Sequence, residues 1–388
     1  MPKPTRIIRP IHAPQVMDAL MRTIRPYLSF ELQNTRIDLE TVLAVLTYAS
    51  VNRLTLEASC ARLEQAPSGN RLREVLLPAL PSLSVLQRRL NTILRRQLPA
   101  MLFTGRRDYE IAIDLTDIPY HGQAWAEPDE IRRGPAKSGT THFHSYLTVS
   151  LVHTRRRYVL AVLFIRQHER MADMVKRALK LVKRLHIRIR RVLLDAGFCA
   201  VEVFRALDRR GLKYIVPLKP RGKSGGVRKL LVGRRSYATT YTLNSEQDGA
   251  YTVQAVVVVR YSLPNFRRRG VRRFVFAVSD ATPTTLAACR AIFELYRHRF
   301  GIESSYREMH QVRARTTSRH PGLRLLLIGL ALILVNLYIL LRTHMSPYPL
   351  RARAWLSLRR LAGLIDHVIE SVFGVAQIYA RGPVPLLS

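Results

Sequence analysis

Cysteine is nearly absent from the chain: Cys60, Cys199 and Cys289 are the only three in 388 residues, far apart and with no CxxC. That excludes a disulfide framework and a zinc site of the usual cysteine spacing, and it implies a reducing compartment. Acids are scarce too, 27 against 63 Lys and Arg, which leaves a net charge of +36 spread along the whole length. Such a charge repels itself unless a polyanion neutralises it. Nucleic acid is the commonest partner of that kind, ahead of an anionic membrane surface.

Long apolar runs are missing with one exception, Leu325 to Leu341, 17 residues without a charge between Arg324 and Arg342. A membrane span usually needs about 20 residues. The run therefore reads as a fully buried core helix with Asn336 as an internal hydrogen-bonding group, and no membrane partner is expected. No signal-peptide pattern opens the sequence, because basic residues alternate with prolines there and no apolar run follows. What is present is a hydrophobic content of 47%, too high for a disordered basic tail, in a length of 388 residues that suffices for two or three domains. Ribosomal proteins share the charge but are usually shorter and less apolar.

Residues 1–105 read as an all-α N-terminal domain. DLETVLAVLTYASVN, from Asp38 to Asn52, spaces its apolar residues by three and four behind Asp38 as N-cap. LTLEASCARLEQ, the turn APSGN and SLSVLQRRLNTILRRQL from Ser82 follow. The last carries Arg88, Arg89, Arg95 and Arg96. A helix-turn-helix-like DNA-binding unit fits these helices, and a bundle with a solvated basic face fits them equally.

Near Asp108 the period changes to two. YEIAIDLTDIPY is a strand, HFHSYLTVSLVHTRRRYVLAVLFI reads as two more, and a basic helix from about Met171 to Leu185 follows. Then come the strand RRVLLDAGF, the helix VEVFRALDRRG and the strand KYIVPLK. An antiparallel meander leading into βαβ crossovers is the pattern of a ribonuclease-H-like core. The expected fold class is α/β, with that catalytic core over 106–219 and 284–345. A β-rich insertion over 220–283 precedes the last catalytic helix, and 346–388 form a C-terminal helical segment.

Asp114 lies in an otherwise apolar strand, on the face shared with Ala112 and Thr116, where an acid is costly unless paired or metal-bound. Asp117, close by, reads as a loop residue. Asp195 ends the apolar run VLLD, and strand ends of open α/β sheets are where ligands bind. In a ribonuclease-H-like core the two strands are neighbours, so two like charges meet and need a cation or a shared proton. Mg²⁺, hard and oxygen-seeking, is the expected cation.

The segment YRHRFGIESSYREMH, from Tyr296 to His310, keeps one acid, Glu303, among bases. At about 100° per residue on a single helix, Arg299, Glu303 and His310 fall within about 60° of Tyr296, and Arg307 joins the same stripe. Glu308 and Glu294 lie elsewhere. An Arg299–Glu303 ion pair would account for the acid but not for the remaining members of the stripe.

These residues resemble the DDE transposases of bacterial and archaeal insertion sequences, closest to the subgroup with a Tyr-x2-Arg-x3-Glu-x6-Lys signature. Tyr296, Arg299 and Glu303 match three of its four positions, and His310 stands at the fourth in place of Lys. AIDLTDIPYHG and LLDAGF resemble the regions of the first two acids, although the second usually reads Asp-Arg-Gly-Phe and here has Ala196.

The resemblance implies phosphoryl transfer on double-stranded DNA, at transposon ends and then into a target. Two Mg²⁺ ions, with Mn²⁺ as a substitute, would sit about 3.5–4 Å apart on Asp114, Asp195 and Glu303. Tyr296, Arg299 and His310 would hold phosphates near the transposon end, and Arg307 shares their stripe. A homodimer on paired ends and a cytoplasmic, nucleoid-associated location follow from the same resemblance.

His142 and His144, with His121 and His153 nearby, read as strand-face histidines more readily than as a zinc site. The basic excess between His153 and Arg235, with Lys219 and Arg221 in KPRGK, reads as a phosphate track whose binding falls steeply with salt, or as a solvated face. Two rival functions fit the same residues. One is a metal-dependent nuclease that cuts without joining, and the other is a transposase descendant that only binds DNA.

Overall fold

The computed structural model describes residues 12–33, 36–104, 107–152, 157–220, 222–261, 270–279, 285–344 and 356–376, with the backbone alone at 300–305 and 343–344. Its contacts divide the chain into two compact units. One joins Met1–Gln97 to Tyr306–Ser388, and the other is Leu98–Ser305.

The chain opens with five helices: α1 (Ala13–Ile24), α2 (Leu39–Asn52), α3 (Leu56–Arg62), α4 (Gly69–Ala79) and α5 (Leu83–Arg96). The local signals act as the sequence implies. The Asp38 carboxylate accepts from the Thr41 amide at 2.7 Å, closing the first turn of α2. Thr55 and Ser68 cap α3 and α4 in the same way.

The second unit is built on one nine-stranded sheet. Its strands are β1 (Asp108–Pro119), β2 (Arg132–Lys137), β3 (Thr140–Val152), β4 (Val159–Ile165), β5 (Arg188–Leu194), β6 (Tyr214–Pro217), β7 (Tyr237–Ser245), β8 (Gly249–Tyr261) and β9 (Val271–Val278). The order is β2-β3-β1-β5-β6-β9-β8-β7, and β4 shares the outer edge of β3 with β2. β2 pairs Thr140–Phe143 of β3, and β4 pairs Ser145–Ser150. Central β1 runs antiparallel to β3 and parallel to β5. The parallel steps are bridged by α6 (Met171–Arg184) and α7 (Val201–Asp208), whose apolar stripes are buried. After β9 come α8 (Leu286–Arg297) and α9 (Phe300–Gln311), within which the division between the units falls.

Three expectations change here. β2 was not foreseen, because RRGPAK carries no strand pattern of its own; Pro135 is accommodated since β2 lies on the sheet edge. The β-rich insertion expected over 220–283 supplies β7–β9 to the same sheet as the core, because β9 pairs antiparallel with β6. Asp117 is not in a loop but within β1, where it accepts from the Ser145 hydroxyl and lies near Arg132.

The chain then returns to the helical unit with α10 (Pro321–His344) and α11 (Leu358–Phe373). Residues 306–345 were expected with the strands and 346–388 as a separate segment. Both group with the N-terminal helices instead, because α10 is apolar all round and needs helices on every side. It packs against α5, α2 and α11, and 94% of its most apolar window is buried. By length and composition it would cross a bilayer, and burial is what it receives here. Asn336 is fully buried in it.

α11 is fastened to α2 by polar pairs. The Tyr48 hydroxyl donates to Glu370 at 2.9 Å, and the Asn52 amide donates to Asp366 at 2.5 Å. Burial pushes the Tyr48 hydroxyl up to about 12, helped by Glu370. Burial also raises the Asp366 carboxyl, with the Asn52 bond opposing it. A raised carboxyl contributes stability that is full below its unfolded value, about 4, and is lost as pH rises through the folded one. Asp366→Asn is therefore expected to gain stability relative to the wild type between pH 4 and pH 7, read by urea denaturation at both values. A constant difference would contradict this.

Candidate active site

Asp114 lies midway along β1, opposite Thr148 of β3, at the level where the other neighbour ends. The parallel pairing of β1 with β5 stops at Ile113 and Leu194. Asp195 follows directly, opening a short 3₁₀ turn anchored by buried Ala196 and Phe198. Asp114 within β1 and Asp195 just past the end of β5 thus stand at the same level of the sheet. Their side chains are 14% and 40% exposed.

The charge between them is supplied by Arg299. Its Nη2 donates to Asp195 Oδ1 at 3.0 Å, and its Nη1 lies 3.7 Å from Asp114 Oδ2. Its Nε donates to the Tyr296 hydroxyl at 2.9 Å, and that hydroxyl in turn donates to the Leu194 carbonyl at 3.3 Å. The last contact closes a loop, since Leu194 precedes Asp195. Burial opposes the Arg299 charge, but Tyr296 and the two carboxylates outweigh it and the net shift is upward. Burial pushes the Tyr296 hydroxyl up to about 12, against the pull of Arg299, so it keeps its proton for Leu194.

What places Arg299 is aromatic packing on the sheet. Phe276 of β9 stands 5.0 Å from the Tyr296 ring and 6.3 Å from Phe293, and Phe274 stands 4.8 Å from Phe293. These contacts seat α8 on the extended part of the sheet. The helix then breaks. Residues His298 and Arg299 form a turn, with the Arg299 amide bonded to the Tyr296 carbonyl three residues back at 2.8 Å. This corrects the expectation of a single helix from Tyr296 to His310, so the angular stripe does not run through Arg299.

The remaining expected residues are placed as follows. Glu303 lies on α9, and its side chain is outside the described residues. Arg307 and His310 are exposed on the part of α9 that belongs to the helical unit. Lys219 is exposed just beyond β6, and Arg221 and His153 are outside the described residues. His144 is buried with its ring edge-on to Tyr120 at 4.7 Å, a packing role on a strand face. Among the described residues no group of three or more His, Cys, Asp or Glu converges on a metal position, and Glu303 stands outside that search. The donor chemistry of Asp114 and Asp195 nevertheless fits a hard divalent cation: two carboxylates on adjacent strands already share one positive group.

Sequence reasoning foresaw that the two acids meet and need a cation, but not that Arg299 supplies one. The available signal was its position three residues after a buried aromatic at a helix end.

No curated protein matches the sequence. The fold is similar to that of the piggyBac transposase, solved by cryo-electron microscopy in a synaptic complex with hairpin DNA. The TM-score is 0.56 at 12% identity, covering 95% of this chain and 82% of that one. At that identity the likeness is one of fold, a mixed α/β architecture. The family described as the transposase DDE domain matches residues 105–337, more than half of the 388-residue chain and the segment that brings Asp114, Asp195 and Arg299 together. The chain therefore belongs to the DDE transposase family.

Proposed function

We propose that this transposase cuts DNA at transposon ends and joins the freed 3′ end to a target, using Asp114, Asp195 and Glu303 with divalent cations. The observation that carries the reading is the meeting of Asp114 and Asp195 from neighbouring parallel strands on one guanidinium. The strand order β4-β3-β1-β5-β6, with β3 antiparallel, supports a ribonuclease-H-like core within the larger sheet. The three acids would hold Mg²⁺, or Mn²⁺ in its place, which when bound activates water and stabilises the leaving 3′-oxygen.

The chain's own contribution is to keep two ionised carboxylates aimed at one point and to hold Tyr296 and Arg299 beside them. Arg307, His310, Lys219 and Arg221 are assigned to DNA phosphates, as cationic or imidazole groups suited to them. A net charge of +36 supports a long phosphate track. DNA as partner is supported by the piggyBac complex, which holds hairpin DNA. We further assign a homodimer on paired ends, an origin in a bacterial or archaeal insertion sequence, and a place at the nucleoid in the cytoplasm.

The test uses purified protein, Mg²⁺ or Mn²⁺ and duplexes carrying the terminal repeats that flank the gene. Nicked ends and strand-joined products are expected. Cuts that are never joined would make it a nuclease, and binding with no cutting would leave a DNA-binding descendant.

A further inference from the structure

Arg299 is held more firmly than a phosphate-seeking side chain needs to be. It is 5% exposed, its Nε is committed to Tyr296, and its guanidinium carbon lies 5.4 Å from the Tyr296 ring centre. The fork is not shared evenly. Nη2 is bonded to Asp195 at 3.0 Å, whereas buried Nη1 makes no hydrogen bond among the described residues and stands 3.7 Å from Asp114. Asp195 is also the more exposed acid, at 40% against 14%. The contact that fixes Arg299 to the pair is thus the one that solvent ions reach first.

We infer that Arg299 is the resident counter-ion of the Asp114–Asp195 pair, aiming both carboxylates at a common point and competing there with an incoming divalent cation. The inference rests on the metal-binding reading given above. Two like charges on adjacent strands repel and would splay apart without a positive group between them. A guanidinium braced by Tyr296 prevents that before any cation arrives. The same charge repels a cation that shares Asp195 with it, so cation entry requires Nη2 to give up its bond. Arg299 is then a positioning residue, and Tyr296 sets how strongly it competes.

The experiment is calorimetric titration of Mg²⁺ and Mn²⁺ into the full chain without DNA, with melting temperatures recorded in parallel. Arg299→Gln is expected to melt lower without cation, to gain more from added cation than the wild type, and to bind it roughly fivefold tighter or more, the low end of ordinary coupling between sites. Arg299→Lys keeps the charge but loses the planar fork, and Tyr296→Phe keeps the packing but loses the brace. Both should fall between the wild type and Arg299→Gln, and they carry the test if Arg299→Gln does not fold. Asp195→Ala is the control that defines the site.

Binding that depends on Asp195 and tightens in the variants supports the inference, as does binding that emerges only in the variants. Binding that depends on Asp195 but is equal or weaker in the variants overturns it and leaves the metal reading standing. No Asp195-dependent binding in any protein overturns both.

Discussion

Asp195→Ala is expected to cut terminal-repeat cleavage by about 10²–10³-fold or more, the scale for losing one group that stabilises transition-state charge. DNA binding should stay within about twofold, since phosphate contacts along a basic surface supply most of that affinity. The structure adds a condition on how the experiment is read. Removing the Asp195 carboxylate also strips Arg299 of its bonded partner, and a buried charge with a weakened partner destabilises the fold.

Asp195→Asn separates the two effects. It keeps an oxygen for Arg299 Nη2 while removing the negative charge, so the protein should melt near the wild type and still fail to cleave. Asp114→Asn should behave alike, because Asp114 faces the same guanidinium at 3.7 Å. Unimpaired cleavage by Asp195→Ala, in a protein shown to be folded, would remove Asp195 from the mechanism.

The second large effect is on stability and concerns the crossing of α5 and α10. A Cβ placed at Gly329 would lie 2.5 Å from both terminal methyl carbons of Leu90 and 3.0 Å from its Cγ. Leu90 is fully buried, so its side chain cannot swing out into solvent. A glycine in mid-helix costs roughly 0.5–1 kcal/mol against alanine, and its use here is explained by close helix approach. Gly329→Val is expected to destabilise the chain by about 3 kcal/mol, the upper end of ordinary overpacking, measured by urea denaturation. Combining it with Leu90→Ala should recover part of the loss, because one substitution vacates the space the other invades, with a coupling of about 1–3 kcal/mol. Strictly additive losses would show that the crossing is looser than these distances imply.

Much of the element list was legible because its signals are local. The β-branched and aromatic runs VQAVVVV and FVFAV become β8 and β9, and VLL running into Asp195 becomes the end of β5. Asp38 caps α2 because its carboxylate needs only the Thr41 amide three residues on. The apolar run around Asn336 was read as a buried helix, and it is one. β2 escaped notice because edge pairing, not its own composition, makes RRGPAK a strand.

The misplacements share one cause. Assigning 284–345 to a single catalytic body followed chain order, but α10 takes its neighbours by burial, and those neighbours are α2, α5 and α11. Reading 220–283 as a β-rich insertion did not reveal the pairing of Ile215 with Val278, residues 63 positions apart along the chain. Helical arithmetic from Tyr296 onward failed at the turn of His298 and Arg299.

By itself, then, the sequence pointed to the transposase family and to two acids carried by strands, because periodicity, strand ends and motif spacing are properties of neighbours along the chain. Only the tertiary structure decided that Asp114 and Asp195 stand at one level of the sheet, and that the buried cation between them is Arg299. The reason is physical: a guanidinium finds its partners through strand pairing and aromatic packing across more than a hundred residues, from Asp195 at 3.0 Å to Phe276 behind Tyr296 at 5.0 Å.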